Sequence, residues 1–376
     1  MHRIHRTRAR RLLRWSWICF LHFTGLLNWA RRRICRQRGV VVLTLHRILD
    51  DESAAMSHSQ PGMIVRLATY ESLLRHVVAH CEPVRSPLDA VDWRDEPRTP
   101  RIAVTFDDGW LETAKVAFPV ARYWKVPLTV FVCPGLAGKQ APFWPERILA
   151  IWDAVQSSSV KRCEFMDVLT RFQPNDRGLI RTSETPDLEK VISWLKDLIP
   201  EKRDHVLHEF AAILPERGPR GCASPVDSTM SWPETIAAAA EGLQVGSHTQ
   251  FHQILTTVPE SNADEELRVS KRAIENYLGR ACTLFAYPNG NWSLAIRNLV
   301  EQVGYRFAFA NEVGVWTKDC DPYIIPRVNV WEGMLTNPRG QFSPRAFDYA
   351  IFWRSNRAMS IRQGRMTRKR RVTAKL

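Results

Sequence analysis

Short β-branched runs recur along the chain, each followed by a helical or loop segment: VVVLTLH (40–46), RIAVTF (101–106), PLTVFV (127–132), GLQVGSH (242–248), CTLFAY (282–287), YRFAFA (305–310) and YIIPRVNV (323–330). Most are apolar throughout rather than alternating, which is the pattern of strands covered on both faces. Helical periodicities such as Glu265 to Leu278 and Ser293 to Val303 lie between them. Strands alternating with helices predict a parallel sheet, either an α/β barrel or a doubly wound sheet.

Residues 135 to 240 break this rhythm. LEKVISWLKDL and EKRDHVLHEFAAIL have helical spacing, PERGPRGCASPVDS is a polar patch, and the strand pattern resumes at 243 in the same style. A helical insertion within one domain is therefore expected, although 376 residues would also accommodate two ordinary domains. A composition of 45% hydrophobic and 24% charged residues is that of a folded globular chain and argues against disorder.

Charge changes the picture at the ends. The net charge is +14, but residues 1–38 hold eleven arginines, residues 362–376 hold seven Lys or Arg, and neither stretch contains an acid. Without those eighteen the body carries about −4. This argues against a basic groove, so no nucleic-acid partner is expected, and it favours tethers that meet an anionic membrane surface. Residues 362–376 also read as a solvated tail. WSWICFLHFTGLLNWA (15–30) is shorter than the ~20 residues of a spanning helix. Three tryptophans and arginines on both flanks suit a helix lying in the membrane interface, ahead of a buried packing helix or an uncleaved signal anchor. The expected division is an N-terminal basic and aromatic helix (1–38), a main domain (39–335) and a basic extension (336–376), with peripheral membrane association on a side the charges do not specify. The eight cysteines stand singly, without metal-binding spacing, and do not decide the compartment.

In parallel α/β folds, function gathers at the carboxyl ends of strands. IAVTFDDGW (102–110) ends in two acids and a glycine. Asp-Gly alone is a turn signal, yet adjacent carboxylates repel and are usually held together by a cation or a shared proton. VGSHTQFH (245–252) sets His248 and His252 four apart, a spacing that on a helical turn lets two imidazoles grip one ion. Such a pair can also be two ordinary surface histidines. Two imidazoles with one carboxylate form the open three-ligand arrangement of a hydrolytic metal site. Side chains alternate in direction along a strand, so Asp107 and Asp108 are expected in different roles, one on metal and one on a proton. FAYPNGN (285–291) adds a tight turn at Pro288-Asn289-Gly290 whose N–H groups can face an anion.

TFDDG, SHTQFH and FAYPNG, in that order, resemble the motifs of the polysaccharide deacetylase family, the NodB-homology or carbohydrate esterase family 4 group. The resemblance runs from roughly Val40 to Val330 and includes VVLTLHRI and GMIVRLATYESLLRHV. It implies a distorted (β/α) barrel of about seven strands. It also implies removal of N-acetyl, sometimes O-acetyl, groups from the sugars of a polysaccharide or glycolipid. Carried over, Asp107 is the general base, and Asp108, His248 and His252 hold a divalent metal, commonly zinc. The N–H of Asn289 helps to hold the oxyanion, with Tyr287 and Pro288 beside it in the substrate site.

The chain departs from the pattern twice. Many members carry an arginine in the third motif, where Ala286 stands here, and a late Leu-x-His whose histidine is the general acid; no histidine follows His252. His46, ending the first strand, is the expected substitute, because first and last strands of a barrel are neighbours. Trp110 offers an aromatic face for sugar stacking, and Arg327 a guanidinium to orient the acid or the ligand. The missing acid also admits a non-catalytic glycan-binding relative. A glycosidase is disfavoured, since adjacent acids on one strand cannot flank a bond at the ~5 Å or more required.

Overall fold

The structure is a computed structural model that describes residues 2–85, 93–94, 96–140, 143–173, 180–182, 185–214, 224 and 226–359. Seven parallel strands form its centre: β1 (Val40–Leu45), β2 (Arg101–Phe106), β3 (Leu128–Val132), β4 (Gln244–Ser247), β5 (Leu284–Ala286), β6 (Phe307–Phe309) and β7 (Arg327–Asn329). Each of β1 to β5 pairs with the next, and β7 returns beside β1. β1 and β2 are in full register from Val40↔Arg101 to Leu45↔Phe106, while Val42↔Arg327 opens the β1–β7 pairing. A bridge from Phe309 to Ile325, just before β7, brings the two edges together and leaves a nearly closed barrel with flanking helices. Of the two sheets expected, the chain adopts the barrel.

The apolar runs have a period of two with both faces buried. Val40, Val42, Ala103, Phe131, Leu284, Ala286 and Phe309 fill the barrel interior, and Trp316 joins them beside the start of β1, exchanging backbone hydrogen bonds with Val40. The alternate residues Val41, Leu43, Ile102, Val104, Val130, Phe285 and Val328 lie in the layer beneath the helices.

The insertion between β3 and β4 is built from helices Trp144–Val155, Ser159–Phe172, Leu188–Lys196 and Pro200–Ala212. Ile148, Val155, Phe165, Val191, Leu195 and Phe210 give it a core separate from that of the barrel. Helix Trp232–Ala240 does not belong to it, because Ala238 and Ala239 pack on the barrel; a capping box of Ser231 and Glu234 starts that helix. The insertion is thus narrower than 135–240.

Described residues at both ends of the chain pack on the barrel. The N-terminal segment is two helices, α1 (His2–Phe23) and α2 (Leu26–Arg36), separated at Gly25, whose φ of 75° suits glycine. Ala30 and Ile34 of α2 and Phe347, Ala350, Ile351 and Phe352 near the C-terminus all join the barrel's outer core. Asn356 Nδ2 donates to the Ala30 carbonyl at 2.8 Å, and Arg31 pairs with Asp348 at 3.5 Å. Both segments carry apolar stripes that cover one another, which the basic composition of the ends conceals. The run 362–376 lies outside the described residues. Among the described residues no helix is long and apolar enough to cross a membrane.

Candidate active site

The acid pair, the histidine pair and the Pro-Asn-Gly turn all follow carboxyl ends of barrel strands: β2, β4 and β5 respectively. Among the described residues, six non-glycine residues have positive φ, and four of them, Asp108, Thr249, His252 and Asn289, belong to these motifs. That conformation is costly for residues with a Cβ and persists only where the surroundings enforce it, as functional sites do. Gly290 completes the third turn at φ 78°, and a Cβ there would meet Asn311 at 2.4 Å.

Asp108, His248 and His252 converge. One ligand atom from each lies within 4.8 Å of the others, with Asp108 Oδ1 at 3.6 Å from His248 Nε2 and 3.4 Å from His252 Nε2. The outer atoms of this set are already engaged. Trp110 Nε1 donates to Asp108 Oδ2 at 3.0 Å, and His248 Nδ1 lies 2.7 Å from the Ala286 carbonyl. Since a carbonyl only accepts, His248 carries its proton on Nδ1 and presents the Nε2 lone pair to the cluster. Burial lowers the His252 pKa to about 4 against the opposing pull of Asp108, so its imidazole is neutral near pH 7 and able to ligate. Two imidazole nitrogens and one carboxylate oxygen, with Asp108 and His248 steadied from behind, fit a divalent cation with a position left open.

Asp107 takes the other direction. It continues the inward series Ala103, Thr105 and is buried, and Arg327 of β7 grips it with two hydrogen bonds of 2.7 Å. Burial alone would raise its pKa; the charge and hydrogen bonds of Arg327 override this and bring it to about 2. Arg327 also donates to Thr105 Oγ1 at 3.3 Å and to the Ala310 carbonyl at 3.2 Å, so its guanidinium is fixed by three strands or strand ends. The third motif carries Ala286, and the arginine that meets the acid comes from β7.

His46 directly follows β1, next to the pair Leu45↔Phe106 that precedes Asp107. Burial lowers its pKa while the carboxylates of Asp108 and Asp107 counteract it, and its buried Nδ1 has no hydrogen-bond partner. Asn289 heads the 3₁₀ turn and accepts a 2.8 Å hydrogen bond from Lys196 Nζ on its side-chain oxygen. Three of the residues expected to contact substrate are buried. Trp110 is fully buried between Arg47, 4.0 Å above its ring, and Phe143, so its face is closed to sugar and its N–H orients Asp108 instead. Tyr287 is fully buried with its hydroxyl donating to the Tyr323 carbonyl at 2.9 Å, and Pro288 is buried beside it, so both are packing residues of the turn.

Several participants escaped the motif reading. Arg47, fully buried, binds Glu112 at 2.6 Å and also Asp227, Ser57 and Ser59, a network that seats Trp110. The insertion closes one side of the site: Phe143 packs against His252, Ser59 donates to Glu146 at 3.1 Å, and Lys196 reaches Asn289. Burial, reinforced by the charge of Asp108, raises the Glu146 pKa to about 8. Arg47 stands next to His46 in the chain, and that adjacency was the available signal; Glu146 and Lys196 lie in helical runs that carry none.

The sequence model described as polysaccharide deacetylase matches residues 217–308, which contain both histidines and the third motif. Compared with curated proteins, the chain matches none. Among solved structures it is similar to a Bacillus anthracis protein assigned as a polysaccharide deacetylase, with 17% identity over 83% of this chain and 69% of that one and a TM-score of 0.50. It is also similar to the Streptococcus pyogenes deacetylase PplD, with 14% identity over 81% of this chain and 99% of that one and a TM-score of 0.49. For IcaB from Ammonifex degensii the values are 19%, 78%, 91% and 0.48. At these identities the likeness is one of fold. Residues 217–308 thus match the polysaccharide deacetylase model, and the barrel that carries them is of the NodB type.

Proposed function

We propose that the protein is a divalent-metal hydrolase that removes N-acetyl, or other acyl, groups from the sugars of a polysaccharide or glycolipid. The observation that carries this reading is the division of labour between neighbours: Asp107 is held by Arg327, while Asp108 faces two imidazole nitrogens at 3.4 and 3.6 Å. Zinc suits this set of two nitrogens and one oxygen, and when bound it would supply Lewis-acid polarisation and a lowered pKa for water.

The chain's own groups account for the rest. An acetamide is a poor electrophile, so attack requires a base that is ionised at neutral pH; Asp107 is, and the fork of Arg327 leaves each oxygen a lone pair for the water proton. The Asn289 N–H is assigned to the oxygen on which negative charge builds. The amine departs only when protonated. His46 stands beside both carboxylates with an unpartnered nitrogen, and its lowered pKa suits it to pass a proton on rather than retain one.

The test uses the full chain: metal content by mass spectrometry, and acetate release from chitin oligomers, poly-N-acetylglucosamine and acylated lipopolysaccharide sugars, with and without chelator. Bound metal with chelator-sensitive acetate release is the expected outcome. Bound metal without acetate from any of these would instead favour the glycan-binding reading, to which the absence of any histidine after His252 lends weight.

A further inference from the structure

Among the described residues, none covers the outward face of α1. Leu13, Trp17 and Phe20 follow one another at spacings of four and three, Leu12 and Phe23 flank the same stripe, and all five are exposed, Leu13 to 71% and Phe23 to 76%. Soluble surfaces seldom leave so many large apolar side chains together without a partner. The opposite face is fixed. Ile18 and Leu21 are buried, and Arg14 donates to the carbonyls of Gly333 at 2.6 Å and Met334 at 3.0 Å. The stripe is therefore a set feature of the body, held in one orientation.

We propose that this face of α1 docks on an anionic lipid bilayer, lying in the plane of the headgroups. The charge around the stripe selects this occupant. Arg10 and Arg11 are exposed, Arg345 lies over the Phe23 ring at 5.2 Å, and residues 1–38 contain eleven arginines and no acid. A second copy related by a two-fold axis would bring the same arginines against themselves, whereas anionic headgroups would neutralise them. Trp17, stacked on Phe20, is the amphipathic type of residue that settles at the boundary of headgroups and acyl chains. Among the described residues no helix meets the length and hydropathy of a span, which accords with a helix lying on the surface. This docking does not depend on the hydrolytic reading.

The experiment is sedimentation of the full-length protein with vesicles of phosphatidylcholine alone and of phosphatidylcholine with phosphatidylglycerol, at low and high salt. Expected is binding to the anionic vesicles that weakens with salt and falls by about tenfold or more in the Leu13→Glu/Phe20→Glu variant. Its melting temperature should be unchanged, because both side chains are exposed. Equal binding by variant and parent would assign any affinity to the basic tail and overturn the proposal. So would a parent that stays in the supernatant, or a lipid-free dimer that the variant turns monomeric. Should the double variant fail to fold, Phe23→Glu at the end of the helix is read in the same way.

Discussion

Barrel and insertion each deliver a buried carboxyl group to the same site, and the two end in opposite states. Asp107, on the barrel, is drawn down to about 2 by Arg327, whereas Glu146, on the insertion, is pushed up to about 8 by burial and the nearby charge of Asp108. The residue types are nearly the same; the supply of cations differs. A strand end inside a barrel can be reached by a guanidinium from across the sheet, while Arg47, whose charge acts on Glu146, is already divided between Glu112 and Asp227. The barrel thus keeps an ionised base in place. The insertion contributes a neutral acid, a phenyl ring and a lysine to the wall.

The most severe way to break this comparison is at the barrel's candidate metal set, Asp108, His248 and His252. Asp108→Ala should remove the one anionic ligand and lower acetate release by about a thousandfold, with metal content falling in parallel. Next comes the ion pair. Arg327→Met leaves Asp107 as an uncompensated buried charge and should cost about 3–5 kcal/mol in denaturant unfolding, while Arg327→Lys, which keeps the charge but not the fork, should fall between. His46→Asn should reduce turnover by about a hundredfold with bound metal unchanged; an unaffected rate would remove His46 from the proton path.

On the insertion the effects are smaller and depend on pH. Glu146 has a folded pKa of about 8, above the ordinary carboxylate value of ~4.3, so the folded state binds the extra proton and stability declines as pH rises between the two. In chelator-treated protein, Glu146→Gln should therefore gain thermal stability relative to the parent progressively from pH 5 to 8 and hold that gain above. Asp107 has the opposite sign: its folded pKa is depressed, so its stabilisation is complete above the unfolded value and disappears as pH falls toward 2. Lys196→Met should be the mildest change, lowering kcat/KM about fivefold through the loss of one hydrogen bond to Asn289, with the melting temperature unaltered.

The strands were legible because both faces of each are buried, which writes them as unbroken apolar runs; all seven runs contain the expected strand. The three ligands were legible because each motif is local, with two histidines four residues apart and an acid pair at a strand end. Arg327 was singled out only as a guanidinium that orients the acid or the ligand, and its partner lies 220 residues away. Trp110 was read as a stacking surface because a residue after a turn has no inward or outward direction until Arg47 and Phe143 enclose it. The chain ends were misjudged for a related reason. Arginines on one side of a helix dominate its composition, while the stripe that packs on Phe352 and Ile351 involves only a few residues.

The sequence alone thus determined the alternation of strands and helices, the presence of an insertion and the candidate motifs, the acid pair and the two histidines, since each rests on periodicity or on spacing within about ten residues. Tertiary structure alone decided that the sheet closes into a barrel, that Arg327 pairs with Asp107, and that Glu146 and Lys196 face the site. Those outcomes depend on strand register and on which distant side chain fills a shared volume. Both are settled only when the whole core packs, because burial and pairing are properties of neighbours in space.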